Sequence, residues 1–239
     1  MLDIINVTKK FGSFIAVNNL NLTVNSGDFF GFLGQNGAGK TTTIKMITGL
    51  YTASSGRILI DGFDIVKEPI KAKSVIGYIP DQPFIYEKLT GREFLYFSGG
   101  LYSIEKKTLK DKIEETIEIL KIGDWVDKRT EEYSQGMKQR ITIASALLHN
   151  PKLLVVDEPM VGLDPQSAVV VKNVLKQKAD SGCAIFMSTH SLNVAEEICT
   201  RIGIIKDGNL IFSDTKDVIE KIKGSDHENL ESLFLHLTK

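Results

Sequence analysis

Apolar residues recur in short, β-type runs along the first part of the chain. Two runs, Leu2–Val7 and Phe14–Val24, have the length and composition of strands. Two more, Arg57–Ile60 and Phe63–Ile65, flank the dipeptide Asp61-Gly62, which is a strong signal for a β-hairpin. The pattern therefore predicts antiparallel strands in the N-terminal part of the chain.

A different pattern surrounds residues 34–41. Asp28–Leu33 is a short apolar run suited to a buried strand, and Thr42–Thr48 has the pattern of a helix. Between them, Gly34–Thr41 reads GQNGAGKT and fits G-x-x-x-x-G-K-[ST], the phosphate-binding P-loop. Because strand, glycine-rich loop and helix are the setting that this motif requires, we prefer it to a glycine turn with no ligand.

The residue types of this loop match the chemistry of a polyphosphate. Glycines at Gly34, Gly37 and Gly39 allow backbone conformations that a Cβ forbids and bring N–H groups close to phosphate oxygens. Lys40 adds a positive charge for the β- and γ-phosphates, and Thr41 supplies a hydroxyl for Mg²⁺. The loop predicts a nucleoside triphosphate bound with Mg²⁺.

From about residue 84 to residue 150 the apolar spacing becomes helical. Thr90 and Glu93 match a capping box, which predicts a helix from there to about Tyr102. A second helix is predicted by apolar residues three and four positions apart, namely Leu109, Ile113, Ile117 and Leu120. Ser134 is placed to cap a third helix that runs to about Leu148.

Strands return after residue 151. Lys152–Val156 and Ala184–Met187 are apolar runs, joined by a helix that Asp164 caps and Pro165 opens. Further predicted strands are Ser74–Ile79, Ile202–Lys206 and Leu210–Phe212. The order predicts one α/β domain. It has a P-loop NTPase core (1–83 and 151–214), an N-terminal antiparallel β subdomain, an inserted α-helical subdomain (about 84–150) and a short helical tail (215–239).

Two carboxylates, Asp157 and Glu158, directly follow the predicted strand Lys152–Val156. At the carboxyl end of a buried strand, Asp157 suits the Mg²⁺ shell, and Glu158 suits proton transfer from an attacking water. The alternative is an acidic strand end that faces solvent, and the preceding P-loop argues against it. His190 ends the next apolar strand, where it would reach the γ-phosphate, although a lone histidine is more often structural.

The segment YSQGM at residues 133–137 opens the third predicted helix. Ser134 and Gly136 give this helix a small, hydroxyl-bearing N-terminus, which suits a second anion site. Capping of the helix alone is the ordinary interpretation of such a pattern.

Bulk properties narrow the class of protein. The 239 residues carry a net charge of −1, so there is no general electrostatic footprint for a nucleic acid. The two cysteines, Cys183 and Cys199, lie in apolar runs, and we expect reduced core residues of a cytosolic protein. The N-terminus lacks a signal-peptide pattern, and no run approaches ~18 apolar residues. We expect any membrane role to require another chain.

In order and content, these motifs resemble the ATP-binding cassette (ABC) ATPases, most closely the ATPase subunits of bacterial ABC-2-type exporters. The resemblance covers essentially the whole chain and implies a head-to-tail dimer that sandwiches ATP. It implies nucleotide contacts from Phe11 to adenine, from Ser134 and Gly136 to the γ-phosphate on the partner, and from the P-loop residues Gly34, Gln35, Asn36, Gly37, Ala38, Gly39, Lys40, Thr41 and Thr42. For Phe11 the alternative is a hydrophobic residue beside a turn.

The same resemblance implies the catalytic roles. The catalytic residues would be Glu158 as the base, His190 as a switch at the γ-phosphate, and Lys40. Asp157 and Thr41 would hold Mg²⁺. The loop at residues 162–164 would cross the dimer interface.

Two positions depart from the family pattern. The usual LSGGQ reads YSQGM here, so Gln135 replaces a glycine while Ser134 and the second glycine remain. The family has a glutamine where Asp81 falls. We hypothesise that Asp81, a shorter and charged oxygen donor, joins the Mg²⁺ site and tightens metal dependence.

The sequence thus predicts a Mg²⁺-dependent ATPase, the ATP-hydrolysing subunit of an ABC transporter, with export preferred because residues 229–237 resemble the closing helix of exporter subunits. Expected partners are a second copy or a homologous ATPase subunit and a separate integral membrane permease, with no nucleic acid. The expected location is cytoplasmic, on the inner face of the cell membrane. The alternative is a soluble ABC-type ATPase that acts on a protein assembly. A non-hydrolysing module is disfavoured because all the catalytic positions are filled.

Overall fold

The computed structural model of the chain describes residues 1–215 and Phe234. In that part of the chain the strands are β1 (Leu2–Phe11), β2 (Phe14–Val24), β3 (Phe29–Leu33), β4 (Ser55–Ile60), β5 (Phe63–Asp64), β6 (Ile76–Ile79), β7 (Leu153–Asp157), β8 (Ala184–Thr189), β9 (Arg201–Lys206) and β10 (Asn209–Thr215). The helices are α1 (Lys40–Ile47), α2 (Pro69–Ser74), α3 (Gly91–Leu101), α4 (Lys106–Ile119), α5 (Gln135–Leu147), α6 (Pro165–Asp180) and α7 (Leu192–Ile198), with a 3₁₀ turn at Thr130–Glu132.

The larger sheet places the ends of three strands side by side. Its order is β10-β9-β3-β8-β7-β6, and all its strands are parallel except β10, which returns antiparallel to β9. In the register, Leu33 pairs with Thr189, and Asp157 pairs with Ser188. Because parallel strands end at the same edge of a sheet, the loops that follow β3, β8 and β7 meet at one place.

The smaller sheet is antiparallel, with the order β2-β1-β4-β5. The predicted hairpin at Asp61-Gly62 is confirmed, and both residues have positive φ. A second hairpin joins β1 to β2, and its last paired residues are Phe11 and Phe14. The combination of this sheet with a parallel P-loop core and helices confirms the predicted α/β fold class.

Side chains cap the helices where the sequence predicts it. Thr90 Oγ1 accepts a hydrogen bond from the backbone N–H of Glu93 at 3.1 Å, and Glu93 accepts one from the N–H of Thr90 at 2.8 Å, which confirms the capping box. Ser134 Oγ accepts from the N–H of Met137 at 3.3 Å at the start of α5. Asp164 accepts from two backbone N–H groups at the start of α6, both at 3.0 Å.

Apolar side chains cover both faces of the larger sheet. On one face, α3, α4, α5 and α6 share a core with the sheet through residues that include Phe94, Ile113, Ile141, Leu154, Val156 and Val174. On the other face, α1 and the smaller sheet share a core through residues that include Ile4, Phe32, Ile44, Ile58, Leu153 and Val155. Consecutive residues of β7 alternate between the two cores because strand side chains alternate between faces. The helical segment therefore packs directly on the sheet that carries the P-loop.

The prediction of a strand from Ser74 was wrong at its start. Ser74 ends α2, and β6 begins only at Ile76. Pro69 at the first turn fixes a helical φ, and Ala72 is buried between exposed lysines, so a short helix forms before the strand. The short helix α7, which follows β8, was not predicted from the sequence.

The predicted tail lies largely outside the described residues. Thr215 itself closes β10 opposite Arg201, because the ladder with β9 continues to that residue. Apart from Phe234, residues 216–239 are outside the described part, and this includes the segment 229–237 on which the preference for export depends. Among the described helices, none is both long enough and apolar enough to cross a membrane.

Candidate functional site

The P-loop connects β3 to α1 through a tight glycine turn. Gly37 and Gly39 have φ of +83° and +112°, in the region that favours glycine. A Cβ on Gly39 would lie 2.6 Å from the carbonyl oxygen of Ala16, so a larger residue would clash with the backbone. The loop therefore enters α1 directly, and the positive end of the helix dipole faces the loop.

The side chain of Lys40 stabilises the P-loop by hydrogen bonds to its backbone. The side chain is buried, and its Nζ donates hydrogen bonds to the carbonyl oxygens of Gly34 at 2.7 Å and Gln35 at 3.1 Å. Burial lowers the pKa of Lys40, whereas the negative charges of Glu158 and Asp157 raise it. The ammonium group therefore interacts both with the carbonyl oxygens of the P-loop and with the carboxylates of Asp157 and Glu158.

Asp157 is a buried carboxylate at the end of β7. Its Oδ1 accepts a hydrogen bond from Ser188 Oγ on the neighbouring strand. Burial raises the pKa of Asp157; the hydrogen bond from Ser188 lowers it, and the charges of Asp81 and Glu158 raise it further. Negative charge thus accumulates at this edge of the sheet in a way that a divalent cation would relieve.

Glu158 follows directly and is held by two side chains. Its Oε2 accepts a hydrogen bond from Thr189 Oγ1 at 3.2 Å, and its Oε1 lies 2.8 Å from His190 Nδ1. Its backbone φ is +47°, an unusual value for a residue with a side chain, and its N–H donates to Ser188 O at 3.1 Å. The imidazole of His190 is 64% exposed whereas the carboxylate side chain is 16% exposed, so the histidine lies on the outer side of the pair.

The oxygen-bearing side chains of this site fit Mg²⁺ only if phosphate oxygens complete the coordination of the ion. Within residues 1–215 and Phe234, no group of three or more histidine, cysteine or acidic side chains is arranged to hold a metal ion alone. The predicted protein ligands are Asp157, Asp81 and the Thr41 hydroxyl, and Asp81 is close enough that its charge raises the pKa of Asp157. Because Mg²⁺ in such sites is held by one or two carboxylates together with phosphates, these residues fit it.

The start of α5 contacts a loop of the same chain. A Cβ on Gly136 would lie 3.5 Å from the carbonyl oxygen of Gly162, and a Cβ on Gly162 would lie 2.7 Å from Cγ of Gln135. Ser134 is exposed at the helix N-terminus. The structure therefore places the predicted second anion site, Ser134 and Gly136, against the loop at residues 162–164. Gln135, which replaces the family glycine, fills the space beside Gly162.

The aromatic residue that lines the P-loop cavity is Phe14. A cavity of about 280 Å³ is lined by Phe14, Ala16, Asn36, Gly37, Gly39, Lys40, Thr41 and Thr42. Phe11 is not among these residues, but it pairs with Phe14 across the hairpin and is 44% exposed. The contact of Phe11 with adenine stays a prediction.

Sequence reasoning missed several residues that hold the site together. Ser188 and Thr189 bind the two carboxylates, and the Ser-Thr dipeptide directly before His190 was the available signal. The backbone N–H of Gly208, in the turn between β9 and β10, donates to Ala38 O at 3.0 Å and supports the P-loop. No local pattern indicates this long-range contact.

Comparisons with known proteins agree on one family. The profile of the ABC transporter family matches residues 17–161. The linearmycin resistance ATP-binding protein LnrL of Bacillus subtilis (strain 168) is 39% identical over 225 residues, which are 94% of this chain and 72% of LnrL. ABC transporter A family member 12 of Arabidopsis thaliana is 42% identical over 88% of this chain, but the match spans only 23% of that longer protein.

Solved structures show the same likeness. An ATP-binding subunit of an ABC transporter superimposes with a TM-score of 0.93 and 29% identity over the whole of both chains. A dimeric ATP-binding cassette, in a post-hydrolysis state with ADP and Pi, superimposes with a TM-score of 0.82 and 25% identity over 90% of this chain and 99% of that one.

We expect Asp157→Asn to stabilise the nucleotide-free protein and to abolish its stabilisation by ATP with Mg²⁺. Because the folded state raises the pKa of Asp157, this carboxyl supports folding fully only below its unfolded pKa, and that support is lost as pH rises through the folded pKa. Asparagine keeps an oxygen for Ser188 but carries no charge. In urea unfolding from about pH 4 to about pH 8, the advantage of the variant should grow with pH.

The exposed Asp111→Asn serves as a control and should leave both properties unchanged. Equal urea midpoints for Asp157→Asn and wild type across this pH range would contradict the electrostatic argument.

Proposed function

Because this chain belongs to the ABC transporter family and is a Mg²⁺-dependent, ATP-hydrolysing subunit, we propose that it drives a separate membrane permease. Transport would run in the export direction, and head-to-tail closure on a second subunit would drive it. The observation that carries this proposal is the meeting of P-loop, carboxylates and histidine at one sheet edge. Lys40, Glu158 and His190 are joined there by hydrogen bonds or by direct electrostatic interaction.

In the proposed hydrolysis, Glu158 orients the attacking water and accepts its proton. Thr189 keeps the carboxylate in place through its hydroxyl, and His190 passes from Glu158 to the γ-phosphate when ATP is bound. Lys40 exchanges its loop carbonyls for phosphate oxygens and stabilises the negative charge that develops there. Mg²⁺, held by Thr41, Asp157 and Asp81, would neutralise charge on the phosphate oxygens.

The second subunit would be another copy of this chain or a homologous ATPase subunit. The N-terminus of α5 carries a positive dipole end, the small, half-buried Gly136 and the exposed hydroxyl of Ser134. These features suit the γ-phosphate of ATP bound to the opposite P-loop. The loop at residues 162–164 touches the same helix end, so it would lie in the interface, and the dimeric cassette described above supports this arrangement.

An exposed aromatic surface offers a place for the permease. It consists of Phe84, Tyr86, Phe97 and Leu101, which are 78%, 48%, 43% and 70% exposed. The rings of Phe84 and Tyr86 and those of Tyr86 and Phe97 meet edge to face, with centroids 5.7 Å and 5.2 Å apart. Contiguous exposed apolar surface of this kind marks protein contacts. Two of its residues, Phe84 and Tyr86, closely follow Asp81 in the chain, and we propose that this segment passes movement of the surface to the Mg²⁺ site.

Export, and a cytoplasmic position on the inner face of the cell membrane, complete the proposal. LnrL is named for resistance to linearmycin, and resistance to a toxic compound is a role that an exporter would serve. ATP supply from the cytoplasm accords with the location. The permease, and not this chain, would select the transported substrate.

We expect Glu158→Gln to bind ATP but to lose about 10²–10⁴-fold in turnover, because the amide cannot accept a proton. The uncleaved ATP should then hold two subunits together, so light scattering after gel filtration with ATP and Mg²⁺ should show a dimer. Glu118→Gln, at an exposed position of α4, is the matched control. Hydrolysis by Glu158→Gln at the wild-type rate would mean that another group is the base.

We expect Asp81→Gln to shift the Mg²⁺ titration of ATPase activity to higher concentration, because a neutral amide binds the cation less strongly than a carboxylate does. Asp124→Gln, at an exposed position, should leave the titration unchanged. A coincident titration for Asp81→Gln and wild type would remove Asp81 from the proposed Mg²⁺ site.

The membrane partner can be tested with tagged Glu158→Gln in its native host. We expect a polytopic membrane protein to co-purify in about equal amount after membranes are solubilised in mild detergent with ATP and Mg²⁺. Leu101→Lys, in the exposed aromatic surface, should reduce the recovery of the membrane protein. Lys110→Ala, at an exposed position of α4, should leave the recovery unchanged. Reproducible recovery of soluble partners alone would favour the ATPase of a protein assembly.

A further inference from the structure

Phe11, the last residue of β1, belongs to a cluster of rings and lysines. The rings of Phe11 and Tyr51 meet edge to face, with centroids 5.6 Å apart and planes at 73°. Lys9 Nζ lies over both rings, at 4.9 Å from the centroid of Phe11 and 5.5 Å from that of Tyr51. Lys45 Nζ lies 5.3 Å from the centroid of Tyr51. We name Lys9, Phe11, Lys45 and Tyr51 the Phe11 platform.

Phe11 connects the platform to the P-loop cavity through its strand partner Phe14. Phe11 is directly opposite Phe14 in the β1–β2 register, and directly opposed residues project to the same face of a sheet. Phe14 lines the cavity together with P-loop residues that include Lys40 and Thr41. Lys45 and Tyr51 follow along the helix that starts in the P-loop and in the turn after it. The hairpin and the helix therefore both connect the platform to elements that line the P-loop cavity.

A phenylalanine at this position depends on its neighbours for its orientation. Its ring has no polar atom that could fix it by a hydrogen bond, so contacts must do so. Tyr51 contacts the ring edge to face, and the Lys9 ammonium lies over the ring. Lys9 is anchored in turn, since its Nζ donates a hydrogen bond to Thr52 O at 2.7 Å. With these contacts made, Phe11 remains 44% exposed.

We propose that Tyr51 and Lys9 are positioning residues that hold Phe11 as a stacking surface for the base of the bound nucleotide. The inference rests on the proposed function and on the predicted contact of Phe11 with adenine, and it adds the groups that orient the ring. Stacking uses the face of a base, so the platform contributes affinity for the base and does not contact the phosphates. Loss of either residue should therefore weaken nucleotide binding without slowing the chemical step.

The test compares a ligand with a base and a ligand without one. Calorimetry with Mg²⁺ gives the Kd of ADP and of pyrophosphate for Phe11→Ala, Tyr51→Leu, Tyr51→Phe and Lys9→Met. We expect Tyr51→Leu to weaken ADP binding about 2–10-fold and Lys9→Met about 2–5-fold, with pyrophosphate binding unchanged. ATPase assays should show a higher KM at constant kcat. Tyr51→Phe keeps the ring and should behave as wild type.

Lys10→Met removes the same charge at the neighbouring exposed lysine and should leave both ligands unaffected. Pyrophosphate binding also reports that each variant is folded. If Phe11→Ala weakens ADP but Tyr51→Leu and Lys9→Met do not, the platform is overturned and the contact of Phe11 stands. If Phe11→Ala has no effect on ADP binding, both the platform and the contact of Phe11 with adenine are overturned. If Lys9→Met weakens the binding of ADP and of pyrophosphate equally, Lys9 acts through its charge on the phosphates, and the proposal is overturned.

Discussion

Parallel pairing of β8 with β3 on one side and with β7 on the other fixes where the charged groups of the site lie. The pairing puts Ser188 opposite Asp157 and brings Thr189 next to the end of β3, where the P-loop begins. A slip by one residue would turn each side chain to the other face of the sheet, since strand side chains alternate. Ser188 would then no longer reach Asp157. The apolar residues of these strands, buried on both faces, hold the register and so position the proposed catalytic groups.

The same edge concentrates unfavourable charge when no nucleotide is present. Asp157 is repelled by both Glu158 and Asp81, and Lys40, whose ammonium is hydrogen-bonded to the P-loop, attracts Asp157 and Glu158. The backbone of Glu158 adds strain to this repulsion, because its φ is positive. Functional sites commonly hold such strain, which the surrounding structure offsets. Two thick apolar layers around the sheet provide that support here.

The parts of the site that lie within a few consecutive residues could be predicted from the sequence. The P-loop, the carboxylates after β7 and the caps at Ser134 and Asp164 are local patterns, and their geometry follows from backbone chemistry. Phe14, Gly208 and the partners of Phe11 could not be found this way, because strands and turns far apart in the chain bring them to the site. Asp81 is intermediate: the family resemblance marked the position, and only the fold shows its charge acting on Asp157.

The strand order also sets the sequence of events during synthesis. Both neighbours of β3 in the sheet, β8 and β9, come late in the chain: Phe29 pairs with Ile185, 156 residues further on (185 − 29). At ordinary translation rates, the fully buried segment FFGFL therefore waits about 8–30 s for its partner strand to be made. Through that interval it is an apolar, strand-forming stretch without a sheet, which is the kind of segment that chaperones bind and that aggregates when left unprotected. The arrangement that assembles the ATP site thus makes the nascent chain vulnerable until β8 has left the ribosome.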